Sequence, residues 1–445
     1  MKTPICDFVD GYARSEALRL HMPGHKGVGE TERLDITEID GADSLYEASS
    51  IIRQSEENAS ELFGAQTVYS TEGCSQCIRA MLYLAVLHAK SRGHRPLIAA
   101  ARNVHKSFLS AVALLDIDVL WLYPGKQTSY LSCPITGADV EQAFSKAPRM
   151  PDAVYLTSPD YLGTLAPVEA IAQVCHKYGA LLLVDNAHGA YLRFLQPSQH
   201  PMDLGADICC DSAHKTLPVL TGGAYLHIAE TAPAMCREQA KNALMLFGST
   251  SPSYLILRSL DAANAYLDDG YSVKLEKFIN QVQGLKQKLT QHGYCLWGDE
   301  PLKLTIMPKA YGYTGKQLAQ CLLEQNIVCE FSDPDYLVLM LTPETGKQGL
   351  ERLEQALLNL PQRPAITQSL PAFHSCDAVM SVREAMLAPC ETVAAEKSAG
   401  RILAAAGVGC PPAVPIVISG ERIDEAAVEC FRYYGIDTCT VVISE

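Results

Sequence analysis

From about residue 56 the chain alternates between two hydrophobic periods. SEENASELFG places its apolar residues at helical spacing, QTVYST is a short β-rich run, and CSQCIRAMLYLAVLHAKSRG returns to helical spacing until Gly93 stops it. The alternation continues downstream. PLIAAA, DVLWLY, DAVYLTS, ALLLVDNA, ADICCDSAH and GGAYLHIA predict strands. HKSFLSAVALLD, TGADVEQAFSKA and PVEAIAQVCHKYG predict helices between them, the second with Thr136 or Asp139 near its cap. ALLLVDNA is apolar almost throughout, as a strand buried on both faces must be. Strands alternating with helices predict a mostly parallel sheet covered on both sides.

The pattern changes at both ends of this block. Residues 1–45 are rich in Gly, His and acids with weak periodicity, and predict an extended arm with one short helix near Phe8–Ala17. After SPSYLILRSLDAANAYL, an amphipathic helix is expected from about 271 to 292. Strand LKLTIM, helix GKQLAQCLLEQN, strands IVCEFS and YLVLML, and helix GKQGLERLEQALLNL then form a second, smaller α/β unit. NLPQRPAITQSLPAF has the prolines of a linker. The expected division is an arm at 1–45, a large domain at 46–270, a small α/β domain at 271–360 and a C-terminal domain at 361–445. There is no internal repeat.

Composition narrows the partners. The 445 residues are 48% hydrophobic and 19% charged, with a net charge of −14 and no basic stripe, which argues against nucleic acid and against an anionic membrane surface. No run approaches the length of a membrane span, and the N-terminus has no apolar signal region. Sixteen cysteines are scattered, often within apolar runs. Such cysteines read as reduced, buried thiols, and the expected location is the cytoplasm.

Candidate chemistry lies at strand ends. CCDSAHKTLP ends a predicted strand with Lys215, beside His214 and Ser212. A lysine there can form a Schiff base with pyridoxal 5'-phosphate, while the hydroxyl and imidazole donate to its phosphate. A lone lysine at a strand end is usually just solvated, so a second feature must decide. LLLVDNAHGAY ends an apolar strand in Asp185, and a buried carboxylate needs a cation, which a protonated pyridine supplies. A structural Asp capping the next turn is the ordinary alternative. Acid and lysine on successive strands favour the cofactor, because ligands of such sheets bind at strand C-termini. In ARNVHKSFLSA, Asn103 or His105 sits between a strand and a helix, where an imidazole can stack on the ring.

STEGCSQCIRAML holds the chain's Cys-x-x-Cys pair, Cys74 and Cys77. A zinc ribbon needs a second such pair and a thioredoxin-like site needs a different domain, so no metal site is expected. Gly73 followed by a helix start suits a phosphate instead, with free N–H groups, the positive dipole end and Ser75.

The motifs LRLHMPGHKG, LDITEIDGADSL, ELFGA, RNVHKS, VDNAHGA, DSAHKTLP, GGAYLH, STSPSYLILRSLD and CPPAVPIVISGE occur in this order over nearly the whole chain. In this the sequence resembles the Orn/Lys/Arg decarboxylase family, in its short form without an N-terminal wing domain. The resemblance implies the α/β fold-type-I architecture of pyridoxal-phosphate enzymes. That means a mostly parallel seven-stranded large-domain sheet with helices on both faces, a smaller α/β domain and a C-terminal domain. It implies decarboxylation of arginine, lysine or ornithine to the amine and CO2, with Lys215 carrying the internal aldimine and Asp185 on the pyridine nitrogen. His105 would stack on one face of the ring and Ala187 pack the other, with His188 near the ring hydroxyl or the substrate. Ser75, Ser212, His214 and the N–H groups of Cys74 and Gln76 would hold the phosphate. Lys215 or His214 would return a proton to Cα. Thr250 and Ser251 would reach the neighbouring subunit's site in a homodimer, and His21, His25 and Lys26 of the arm would line or cover the site. Glu330, Asp333 or Glu421 would meet the distal cation of the substrate.

The sequence departs from the family pattern in places. Glu72-Gly73-Cys74-Ser75 stands where the family shows Asn-Gly-Thr/Ser-Thr/Ser, and Asp185-Asn186-Ala187-His188 where it shows Asp-Glu-Ala-His. The two changes are reciprocal, and the expectation is that Glu72 and Asn186 touch. SLYEASSIIRQSE replaces a His and Pro-x-Gly pattern, Gly222 precedes Gly223 where the family has Gln, and CPPAVP replaces Tyr-Pro-Pro-Gly. These changes bear on substrate and activity more than on the cofactor. Two rival functions remain: transamination or elimination on the same fold, and a cofactor-binding relative that regulates a decarboxylase.

Overall fold

The computed structural model describes residues 1–124, 129–405, 409–410 and 414–443. The predicted alternation is realised as β1 (Gln66–Ser70), α3 (Gly73–Ser91), β2 (Leu97–Ala101), α4 (Lys106–Leu115), β3 (Asp118–Leu122), α5 (Gly137–Lys146), β4 (Ala153–Thr157), α6 (Val168–Lys177), β5 (Leu181–Asp185), β6 (Ile208–Asp211), the short α7 (Ala213–Thr216) and β7 (Ala224–Ile228). Two helices precede them, α1 (Pro4–Arg14) and α2 (Ile51–Phe63). Thr136 and Asp139 both act at the start of α5: the Thr136 hydroxyl accepts from the Asp139 N–H, and the Asp139 carboxylate accepts from the Thr136 N–H at 2.8 Å, a capping box.

The seven strands form one mostly parallel sheet in the order β1-β7-β6-β5-β4-β2-β3. Pairs β5–β6 and β2–β3 are parallel, whereas β7 runs antiparallel to both β6 and β1. β5 is buried at every position, as its unbroken apolar run requires.

Two compact units divide the chain: residues 1–94, 152–155 and 168–275, and residues 95–151, 156–167 and 276–445. In the first, α1 packs on α2 and on the helix Tyr254–Asp268, where Asp261 accepts from the Ile5 and Cys6 N–H groups at 3.0 and 2.9 Å. In the second, β8 (Cys295–Trp297), β9 (Lys303–Met307), β10 (Phe331–Ser332) and β11 (Leu337–Met340) make an antiparallel sheet in the order β10-β11-β9-β8. A separate core of Tyr130, Val338, Ile416, Phe431 and Val441 lies in this unit.

The strand expected over IVCEFS is shorter than its apolar run. Asn326 is left-handed (φ 56°) and the Ile327 N–H turns back to Leu322 O, so the chain closes the preceding helix first. It joins the sheet only where the Glu330 N–H reaches Val338 O. Residues 411–413 of the CPPAVP turn lie outside the described residues. No helix among the described residues is long and apolar enough to cross a membrane.

Asp333 lies just after β10 and is buried. Its Oδ1 accepts from the Asp335 and Tyr336 N–H groups at 2.7 and 2.6 Å, and its Oδ2 has no partner. Burial raises its pKa from 3.8 to about 6, against those two N–H donors. A raised acid favours the fold while protonated, so this contribution is intact below 3.8 and lost as the pH rises through about 6. Asp333→Asn keeps the Oδ1 acceptor without the charge. In urea unfolding it should be more stable than the parent by roughly 1–3 kcal/mol at pH 7.5, with no gain near pH 4.

Candidate active site

The C-terminal ends of β5 and β6 carry most of the candidate chemistry of the first unit. Asp185 is the last residue of β5 and is buried. Its Oδ2 accepts from the Tyr155 hydroxyl at 3.0 Å and its Oδ1 from the Ala187 N–H at 3.2 Å, with Cys210 Sγ at 3.8 Å. Burial raises the Asp185 pKa, and the positive charge of Lys215 and the Tyr155 hydroxyl pull it back. Lys215 follows β6 on α7, with its Nζ 3.1 Å from His188 Nε2. Amine, buried acid and imidazole therefore meet in one unit.

The turn at 73 builds the adjoining wall. α3 begins at Gly73 (φ 69°), whose N–H donates to Gly222 O at 2.7 Å. Gly222 is itself left-handed (φ 102°), and a Cβ there would stand 2.8 Å from Thr71 O. Glutamine is therefore excluded from this backbone, and glycine at 222 is a requirement of the turn. A Cβ on Gly73 would lie 3.8 Å from His214 Cε1, so the helix start and the His214 ring are neighbours. His214 Nδ1 lies 2.9 Å from Gly223 O and burial lowers its pKa, so the ring is neutral, donates through Nδ1–H and presents the Nε2 lone pair. Ser212 is buried beside it, and Ser75 is half-buried in the first turn of α3.

Other expected residues are already engaged. The Gln76 side chain accepts from the Ser70 hydroxyl and donates to Tyr46 Oη and Leu244 O, both at 2.9 Å, leaving its backbone N–H as the group at the helix start. The Cys74 thiol is placed apart from the role expected of its N–H: Sγ lies within 4.8 Å of Cys210 Sγ and an Asp185 oxygen. Thr250 and Ser251 are exposed on a loop whose Ser249 N–H donates to Glu72 Oε1. In the arm, His21 contacts the Tyr12 hydroxyl at 2.7 Å, His25 pairs with Asp35 at 3.2 Å and Lys26 donates to His21 O. In the second unit His105 caps α4, its Nδ1 accepting from the Ser107 N–H at 3.1 Å, which leaves the proton on Nε2.

Glu72 and Asn186 do not share a hydrogen bond. Glu72 binds Ser249, whereas Asn186 Nδ2 donates to Asp211 Oδ1 at 2.7 Å and its Oδ1 has no partner. The exchanged residues thus solve two separate local problems. Glu421 is also committed: it is buried and its Oε2 accepts from Arg102 at 3.2 Å and from the Ile418 N–H at 2.7 Å. That pairing removes it as a free acceptor for a substrate cation.

A network beneath the site was not expected. Asp211, at the end of β6, is fully buried and accepts from His200 and His227 Nε2 at 3.0 and 3.1 Å as well as from Asn186. Burial pushes its pKa up, but the two imidazoles outweigh this and hold it well below the usual carboxylate range. Burial in turn lowers the His227 pKa, so that ring is a neutral donor. Tyr155 and Cys210 were likewise missed; only their positions in apolar strands could have drawn attention to them. Asp211→Ala leaves three donors buried without an acceptor. It should lower the unfolding free energy by roughly 3–5 kcal/mol in urea titrations, and loosen the hold on Lys215.

The residues suit pyridoxal phosphate: an amine just past a strand end, a buried acid that calls for a cationic partner, a glycine-opened helix start and adjacent hydroxyls. Comparison with known proteins agrees. Residues 3–297 match the model of the family described as Orn/Lys/Arg decarboxylase, major domain. An arginine decarboxylase of Bacillus subtilis is 28% identical over 460 residues, covering 95% of this chain and 92% of that protein. The uncharacterized protein YaaO of the same organism is 30% identical, covering 96% and 93%. Among solved structures, the Francisella novicida lysine decarboxylase LdcF superposes with a TM-score of 0.81 at 18% identity, over 98% of this chain and 79% of that one, a likeness of fold.

Proposed function

Since the chain belongs to the Orn/Lys/Arg decarboxylase family of pyridoxal-phosphate-dependent amino-acid decarboxylases, we propose that it removes the α-carboxylate of a basic amino acid, with arginine the first candidate, releasing CO2 and the amine. The observation that carries this reading is the presence of Lys215 and buried Asp185 in one unit, close enough that the lysine's positive charge acts on the carboxyl. Arginine is placed first because relatives that this chain matches along nearly their whole length bear that name.

The cofactor, bound through Lys215 Nζ, supplies the sink for the electron pair of the breaking Cα–carboxylate bond. The chain supplies orientation and protons. Tyr155 and the Ala187 N–H fix the Asp185 carboxylate, which would hold a proton at the ring nitrogen. His188 Nε2 exchanges a proton with Lys215 Nζ at 3.1 Å, readying the amine to act on Cα. The Gly73 turn, Ser75, Ser212 and His214 would hold the phosphate, whose charge would draw a proton onto His214 Nε2. Ala187 would pack one face of the ring. We assign the arm to 1–45, the large domain to 46–270, the small domain to 271–360 and the C-terminal domain to 361–445.

The same proposal includes a homodimer, with Thr250 and Ser251 serving the neighbouring site. Leu18, Leu20 and Val28 of the arm are 83%, 83% and 81% exposed, an apolar edge that a second copy would cover. Leu18→Glu with Leu20→Glu should shift the protein towards monomer in sedimentation equilibrium.

Activity is tested by CO2 release with arginine, lysine and ornithine. Release with matching amine is expected, and Lys215→Ala should abolish both the release and the visible absorbance produced by cofactor binding. A keto acid in place of the amine would point to transamination. Cofactor absorbance without release from any of the three would point to a regulatory relative.

A further inference from the structure

Three donor types meet in the second unit, among residues that the proposed reaction does not use. Asp377–Ala378 pairs antiparallel with Glu421–Arg422, Asp377 opposite Arg422. That short ladder brings Cys376 beside Asp424, the N-cap of the helix Glu425–Tyr434. A ring nitrogen of His374, Cys376 Sγ and an Asp424 carboxylate oxygen lie within 4.8 Å of one another. His374 Nε2 is in direct contact with Asp424 Oδ2.

The surroundings hold these donors in a ligand-like arrangement. Asp424 Oδ1 accepts from the Ala427 N–H at 2.9 Å, so the helix cap fixes the carboxylate and leaves Oδ2 to the cluster. The Asp424 backbone N–H donates to the Cys376 sulfur and holds it beside the same carboxylate. His374 is anchored by its own N–H donating to the Tyr130 hydroxyl at 3.2 Å. It lines a cavity of about 470 Å³ together with Phe373, Glu429 and Tyr433.

We propose that His374, Cys376 and Asp424 form a zinc site, whose fourth position is left to water or to a group entering the adjacent cavity. One nitrogen, one sulfur and one oxygen suit Zn²⁺ and exclude Mg²⁺ and Ca²⁺, which demand oxygen. Metal bonds of about 2.0–2.3 Å need donors roughly 3–4 Å apart, so only a small opening of the His374–Asp424 contact is required. Binding expels the Cys376 proton to solvent, and thiolate plus carboxylate then balance the two charges of the ion. The metal would tie the segment after the 359–373 linker to the start of helix 425–434.

The ordinary alternative is a His–Asp ion pair beside a thiol. The test uses the cofactor-loaded protein, stripped of metal with a chelator and titrated with Co²⁺. One Co²⁺ per chain should bind with a thiolate-to-metal absorption band, and Zn²⁺ should displace it. Cys376→Ala should abolish the band and weaken binding by ~100-fold or more, given that outer partners of a ligand alone are worth about 10–100-fold. Asp424→Asn, which keeps the helix cap, should weaken binding without unfolding the protein. Cys210→Ala, removing the thiol beside Asp185, should leave the band intact. Sub-stoichiometric binding, or a band that survives Cys376→Ala, would overturn the proposal.

Discussion

One buried charge organises the site. Asp211 has no access to water, and a carboxylate in that position is tolerable only if its oxygens are filled by donors. His200, His227 and Asn186 fill them. Asn186 directly follows Asp185, and Asp211 directly precedes the Ser-Ala-His-Lys turn. The two turns that carry the acid and the amine are therefore tied to a single anion. The amide at 186 has a physical reason here: it donates, whereas a second carboxylate in its place would need a proton to face Asp211.

The phosphate side follows from a different constraint, the close approach of two backbones. Gly73 can donate to Gly222 O only because residue 222 has a left-handed backbone and no Cβ to meet Thr71 O. This approach sets His214 against the start of α3. Of the two glycines in this contact, Gly73 follows the family pattern and Gly222 departs from it, and the thiol of Cys74 lies near Asp185 and Cys210.

Lys215, Asp185 and the Gly73 turn were legible because each sits at the end of a strongly patterned element, where a strand period stops and a polar residue follows. The His200–Asp211–His227 network was not, because each member is unremarkable in its own segment and only the order of β6 and β7 brings them together. Antiparallel β7 was hidden for a related reason: an apolar run carries no direction. Glu72 and Asn186 share no hydrogen bond, because each finds another partner and reciprocal composition does not specify pairing. The His374–Cys376–Asp424 cluster has no recognisable ligand spacing, since a two-residue ladder and a helix cap assemble it.

The acids proposed for the substrate's distal cation can be ranked by what already surrounds them. Glu421 is spent on Arg102, in a buried pair where removing either partner would strand the other charge. Asp333 is buried and favours its protonated form up to about pH 6, and its one hydrogen-bonded oxygen serves backbone turns. Glu330 differs from both. It is exposed, and the Tyr161 hydroxyl donates to only one of its oxygens, at 3.2 Å. A guanidinium or ammonium group binds most cheaply to a carboxylate that is ionised, oriented by one neighbour and not yet neutralised. Of the three, Glu330 alone is exposed with an oxygen left open, so it is the one a cationic group could reach without displacing an existing partner.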